Sequence, residues 1–131
     1  MKKLAIIVLT MLLTASCGTR PINNVENHPV PLTAQQLPLE RIEALIIAAG
    51  QNRAWQFQRQ APGYLTATQT QPKYSATVDI RFSQQAYSIM LRSSAGLREK
   101  DGSIHRRYNS WIRSLQRDID ASLANDAVLR R

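Results

Sequence analysis

Tyr74-Ser75-Ala76-Thr77-Val78-Asp79-Ile80-Arg81-Phe82 decides the fold. Tyr74, Ala76, Val78, Ile80 and Phe82 fall on one side of an extended chain. Ser75, Thr77, Asp79 and Arg81 fall on the other. Strict alternation of this kind predicts a strand with one buried and one wet face. The same pattern recurs downstream of Ser83-Gln84-Gln85, where Tyr87, Ile89 and Leu91 alternate with Ser88, Met90 and Arg92. Upstream, Tyr64–Gln69 is rich in threonine, and before it Trp55 and Phe57 alternate with Gln56 and Gln58 as far as Ala61-Pro62-Gly63. Short polar connections between all of these predict an antiparallel meander of four strands.

Two helical patterns flank the strands. Leu39, Ile42, Leu45, Ile46 and Ala49 recur at helical spacing, with Pro38 suited to the first turn, Glu40 and Glu43 near the positive end of the dipole, and Gly50 placed as the C-terminal cap. After a polar loop over 93–103, a second helix is expected from about Ser103 to Leu123. Ile104, Tyr108, Trp111, Ile112, Leu115 and Ile119 lie on one side of it. Arg106, Arg113 and Arg117 cluster within about 40° on the other side. The order α-β-β-β-β-α predicts an α+β two-layer sandwich, a four-stranded antiparallel meander with both helices on one face. The folded domain is expected over 38–124, with a frayed tail over 125–131.

The N-terminus reads differently. Lys2 and Lys3 precede a run of ten largely apolar residues, Leu4–Leu13, followed by Thr14, Ala15, Ser16 and Cys17. Ten residues span about 15 Å of helix, half of a bilayer core of roughly 30 Å, so the run predicts a cleaved signal over 1–16 and not a membrane span. The stretch Leu13–Cys17 resembles the lipobox of bacterial lipoproteins, with Thr14 where leucine is usual. That resemblance implies cleavage between Ser16 and Cys17 and a diacylglyceryl group on the Cys17 sulfur, whose thiolate is the nucleophile such lipidation needs. Gly18 after the cysteine, by analogy with enterobacterial sorting, implies the outer membrane with the domain facing the periplasm. From 17 to 37 the chain holds Pro21, Pro29 and Pro31 without apolar periodicity, which predicts an extended tether with His28 solvated within it.

Composition narrows function further. The 131 residues carry 17 Lys+Arg against 9 Asp+Glu, a net charge of +8; without Lys2 and Lys3 it is +6. One cysteine excludes an internal disulfide framework and a Cys-rich zinc site, and sparse histidines leave no expected metal site or cofactor. Residues 92–117 hold seven basic side chains against Glu99 and Asp101. Arg106, Arg113 and Arg117 are therefore a candidate surface for an anionic envelope component. The plainer account is the solvated back of a core-packed helix, with Asp120 tempering Arg113 and Arg117. An export signal makes nucleic acid an unexpected partner despite the charge.

Catalysis finds little support. His105 beside Tyr108 and Asn109 lacks a local nucleophile or orienting carboxylate, and no GxSxG or HExxH occurs. Its expected place is the first turn of the last helix, tying that helix to the loop before it. Asp79, on the wet face of its strand, is expected to pair with Arg81 or Arg92. Trp55, Tyr74, Phe82, Tyr87, Tyr108 and Trp111 all fall on apolar faces, as core residues do.

Ala49-Gly50, Trp55, Val78-Asp79-Ile80, Tyr87-Ser88-Ile89 and the segment Ser103-Ile104-His105-Arg106-Arg107-Tyr108-Asn109-Ser110-Trp111-Ile112 together resemble a group of small Gram-negative lipoproteins of unestablished function. The likeness covers most of 38–119 and implies the fold and the location; it implies no activity, cofactor or catalytic residue. The expectation is an outer-membrane lipoprotein, held in the membrane by its N-terminal lipid, with a small non-catalytic binding or structural domain. The alternative is an enzyme or enzyme accessory acting on cell-envelope polymers through His105 and Asp79. Inhibition of a host lysozyme fits poorly, because two cationic proteins repel.

Overall fold

A computed structural model describes residues 18–129. The signal segment, Ser16 and Cys17 lie outside the described residues. The chain is α+β. The elements run β1 (Thr19–Pro21), β2 (Val25–Pro29), a 3-10 turn (Leu32–Ala34), α1 (Leu39–Gln51), β3 (Gln56–Ala61), β4 (Tyr64–Thr70), β5 (Ser75–Phe82), β6 (Ala86–Ala95), β7 (Ser103–His105) and α2 (Arg106–Leu129).

The alternating strands pair as their spacing predicts. β3 to β6 form an antiparallel meander, with Leu65 opposite Ile80 and Ile80 opposite Ile89. Leu65, Ala67, Ala76, Val78, Ile80, Tyr87 and Ile89 are buried on one face, and Thr66, Thr77, Asp79 and Arg81 lie on the other. Ile42, Leu45, Ile46 and Ala49 from α1 join Tyr108, Ile112, Leu115, Ile119 and Leu123 from α2 in the same core. Burying an aliphatic side chain of this size stabilises by about 1.5–3 kcal/mol, so these helices are held by packing and not by propensity alone.

The N-terminal segment corrects the expected tether. β2 adds to the free side of β6, so the sheet has five strands in the order β2-β6-β5-β4-β3, and β1 pairs with β7 in a separate two-stranded sheet. Val25, Val30, Ala34 and Leu37 are buried. Pro29 is compatible with this strand because β2 is an edge, where prolines are tolerated. The folded unit therefore already includes β1 and β2 and does not begin at Pro38.

Three boundaries also move. Residues 103–105 form β7 and not the first turn of a helix, so Ile104 reaches the core from a strand. α2 continues to Leu129 through the expected frayed tail, and Asp126 there is buried beside Arg41. Gly50 lies inside α1 and does not cap it; the C-cap is Asn52. What Gly50 supplies is space, since a Cβ built there would sit 2.3 Å from Cζ of Phe57.

Candidate functional site

One cluster of polar side chains joins His28, Tyr87, Gln116 and Asp120. They meet where the edge strand β2 crosses α2. His28 is aligned with Tyr87 across the β2–β6 pair, and the register shifts between Val25 and His28. Asn27 takes a positive φ of 50° at that shift and donates its N–H to Ser88 Oγ at 2.9 Å. Without the bulge, alternation from buried Val25 would send His28 outward. The extra residue re-aims it onto the face that Tyr87 occupies.

His28 Nε2 lies 2.9 Å from Asp120 Oδ2, and its Nδ1 lies 3.0 Å from Gln116 Nε2. Gln116 donates to Nδ1, so the neutral ring carries its proton on Nε2 and gives it to the carboxylate. The other oxygen of Asp120 accepts from the Tyr87 hydroxyl at 2.7 Å. Tyr87 is 1% exposed, and burial, with the bond to Asp120 second, pushes its hydroxyl far above the ordinary tyrosine range. Its ring meets the His28 imidazole edge-on at 5.2 Å. A general base needs a ring nitrogen open to a substrate proton. Both nitrogens of His28 are engaged inside the fold, so the cluster acts as a clamp between strand and helix. Asp120 thus points into this cluster and does not temper Arg113 or Arg117, and His28 is not a solvated linker residue.

His105 and Asp79 do not meet. His105 ends β7, its N–H donates to Leu97 O at 2.7 Å, and its Nδ1 accepts the Arg107 N–H at 3.1 Å. It ties the start of α2 to the loop, from just outside the helix. Its ring lies 5.8 Å from that of Tyr74. Asp79 accepts from the Tyr64 hydroxyl at 2.5 Å and from Arg92 at 3.1 Å. That hydrogen bond holds the Tyr64 hydroxyl above its usual range. Of the two expected partners Arg92 is the one used; Arg81 lies over the Tyr64 ring, 3.9 Å from its centre. Asp79 lies five positions along extended chain from Tyr74, about 16 Å, so the two groups share no substrate-sized site.

Arg106, Arg113 and Arg117 are all exposed, and Arg113 donates to Ser110 Oγ at 3.1 Å. Asn109, beside them in sequence, faces inward: it accepts the Asn23 N–H and donates to Pro21 O, each at 2.9 Å, holding the N-terminal segment against α2. Among the described residues no three His, Cys, Asp or Glu side chains are grouped to hold a metal ion, and no helix is long and apolar enough to cross a membrane. Sequence reasoning also missed the places of His28 and Asn109; their hydrogen-bond partners lie 86 to 92 positions away, and no local spacing marks them.

Compared with known proteins, the chain matches no family model, no curated protein and no solved structure.

Proposed function

We propose that the chain is a lipoprotein of the Gram-negative outer membrane, anchored through a diacylglyceryl group on Cys17, whose domain binds or scaffolds in the periplasm without chemistry of its own. The observation that carries this reading is the placement of Cys17. The chain's single cysteine follows an export-type apolar run after three intervening residues and stands two positions before Thr19, where β1 begins. Only Gly18 would then lie between the anchor and the first strand. The small lipoprotein group that the 103–112 segment resembles belongs to the same reading, as does a two-layer sandwich with both helices on one face of the sheet.

The exposed row Arg106, Arg113 and Arg117 is the surface that would meet an anionic envelope component. The alternative, an enzyme acting on envelope polymers, draws less support because its two candidate groups, His105 and Asp79, have separate partners. The test is the mass of the N-terminal peptide from cells together with fractionation of Cys17→Ala. A diacylglyceryl-modified peptide starting at Cys17, and release of the variant from the outer-membrane fraction, are expected. An unmodified thiol on a membrane-bound protein would sink the anchor.

A further inference from the structure

The route of the chain just after Cys17 bears on how such an anchor would hold the domain. Thr19 pairs with His105, and Pro21 with Ser103. The Arg106 N–H points to Gly18 O at 3.4 Å, and Ile22 N–H donates to Gly102 O at 2.9 Å. The segment Gly18–Ile22 is therefore held against the start of α2 at its first residue and against the turn at Lys100–Ser103 at its last. Successive Cα atoms are about 3.8 Å apart, so a lipid carried on Cys17 would attach one residue from this end of the domain.

That end is basic. Arg98 reaches within 3.9 Å of where a Gly18 Cβ would be. Arg20, Lys100, Arg106 and Arg107 are exposed around it, and Arg107 lies over the Tyr74 ring, 4.9 Å from its centre. Among the described residues none of these five forms an ion pair, whereas Arg41, Arg53, Arg59 and Arg92 each do. The acids of the same end are Asp101 and Glu99, and Glu99 accepts from Ser94 Oγ at 2.6 Å. Five cations against two anions leave a net positive surface at the attachment point.

We propose that this end is a membrane-facing surface, on which Arg20, Arg98, Lys100, Arg106 and Arg107 lie against the phosphates of an anionic lipid layer. The inference rests on the anchored reading above. The anchor sets the distance, well inside a Debye length of about 10 Å at 0.1 M salt. The charge sets the orientation. The domain then sits flush on the lipid, with its Pro62-Gly63 and Ser83–Gln85 turns at the opposite end of the sheet facing the periplasm. Each basic residue near an anionic surface strengthens binding about fivefold.

The mature chain with Cys17→Ser keeps every residue of the fold and removes the lipid. Its sedimentation with vesicles of phosphatidylethanolamine and phosphatidylglycerol tests the surface. Binding that weakens as NaCl is raised, and is absent with phosphatidylcholine vesicles, is expected. Arg106→Glu/Arg107→Glu should weaken it about 25-fold or more. Arg59→Glu/Arg81→Glu, with the same net charge at the far end of the sheet, should weaken it much less. Arg20→Glu/Lys100→Glu substitutes for the first pair should its melting show loss of the fold. Equal losses for the near and far pairs, or equal binding to both vesicle types, overturn the proposal. So does binding to soluble polyphosphate without binding to vesicles. The mass of the N-terminal peptide separately reads the anchor, so the two failures are distinguishable.

Discussion

His28 Nε2 lies 2.9 Å from Asp120 Oδ2, although 92 positions separate them in the chain. The contact joins an edge strand to the middle of the last helix and brings the buried hydroxyl of Tyr87 with it. The two members are not equal. Their side chains are each about a third exposed, 34% and 35%, so the His28–Asp120 contact itself is worth only about 0.5–1 kcal/mol. Asp120 also satisfies Tyr87, and leaving a buried hydroxyl without its acceptor costs about 1–3 kcal/mol. Asp120→Ala should therefore destabilise more than His28→Ala, and Tyr87→Phe should narrow the difference. Urea unfolding of the three variants and the double variant measures this. Equal costs for both single variants would show that the Tyr87 contact contributes nothing.

The N-terminal segment gives a sharper test. Val25, Val30, Ala34 and Leu37 are buried within the segment expected to be a tether. A chain starting at Pro38 exposes the side of β6 that β2 covers and removes four apolar side chains from the core. At about 1–3 kcal/mol for each of the larger ones, the loss rivals the whole stability of a small domain, about 5–15 kcal/mol. Such a chain should show no cooperative thermal transition by circular dichroism, while a chain starting at Gly18 should melt cooperatively.

Tyrosine sets the alkaline limit. Burial raises the hydroxyls of both Tyr87 and Tyr108, with the Asp120 bond adding to the first and the charge of Glu99 to the second. In the unfolded chain both ionise near the ordinary value of 10.0. Above that pH the unfolded state has lost protons that the folded state keeps, so stability is full below about pH 10 and falls as pH rises. The melting temperature should drop steeply above about pH 10, and more gently in Tyr87→Phe or Tyr108→Phe. At neutral pH Tyr108→Phe should also be neutral or stabilising by about 1 kcal/mol, because the buried Tyr108 Oη has no hydrogen-bond partner among the described residues.

Two glycines should respond in different ways to alanine. Gly96 has φ +75°, and a Cβ there would lie 2.1 Å from the backbone oxygen of Lys73. Neither backbone can yield cheaply, so Gly96→Ala should cost about 2 kcal/mol or more. Gly50 is helical, where alanine would ordinarily gain about 1 kcal/mol, but Phe57 occupies the space. Gly50→Ala should destabilise, and Phe57→Leu should restore part of the loss. Denaturant midpoints for the single and double variants report the coupling.

The four meander strands, both helices and most of the core were legible because their signal is local. Ile80 is buried for the same reason as Val78 and Phe82, and any nine-residue window shows it. The polar places were less so. Asp79 found Arg92, one of its two expected partners, because cross-strand neighbours follow from the meander. His28 and Asn109 could not be placed, because their partners follow from where the N-terminal segment docks.

Periodicity along the chain determined by itself that this protein is α+β, which faces of its strands and helices are apolar, and that its basic residues crowd toward 92–117. Only the tertiary structure decided that residues 18–37 belong to the fold. β2 has one buried side chain, Val25, among its five residues and is interrupted by a bulge, so it carries no alternation to read. Its hydrogen bonds come from β6, about sixty residues away, and form only once the meander has presented that edge. The same long-range pairing, Gly18 and β1 against β7 and α2, turned an expected spacer into a fixed segment and gathered around it five cations that form no ion pair among the described residues.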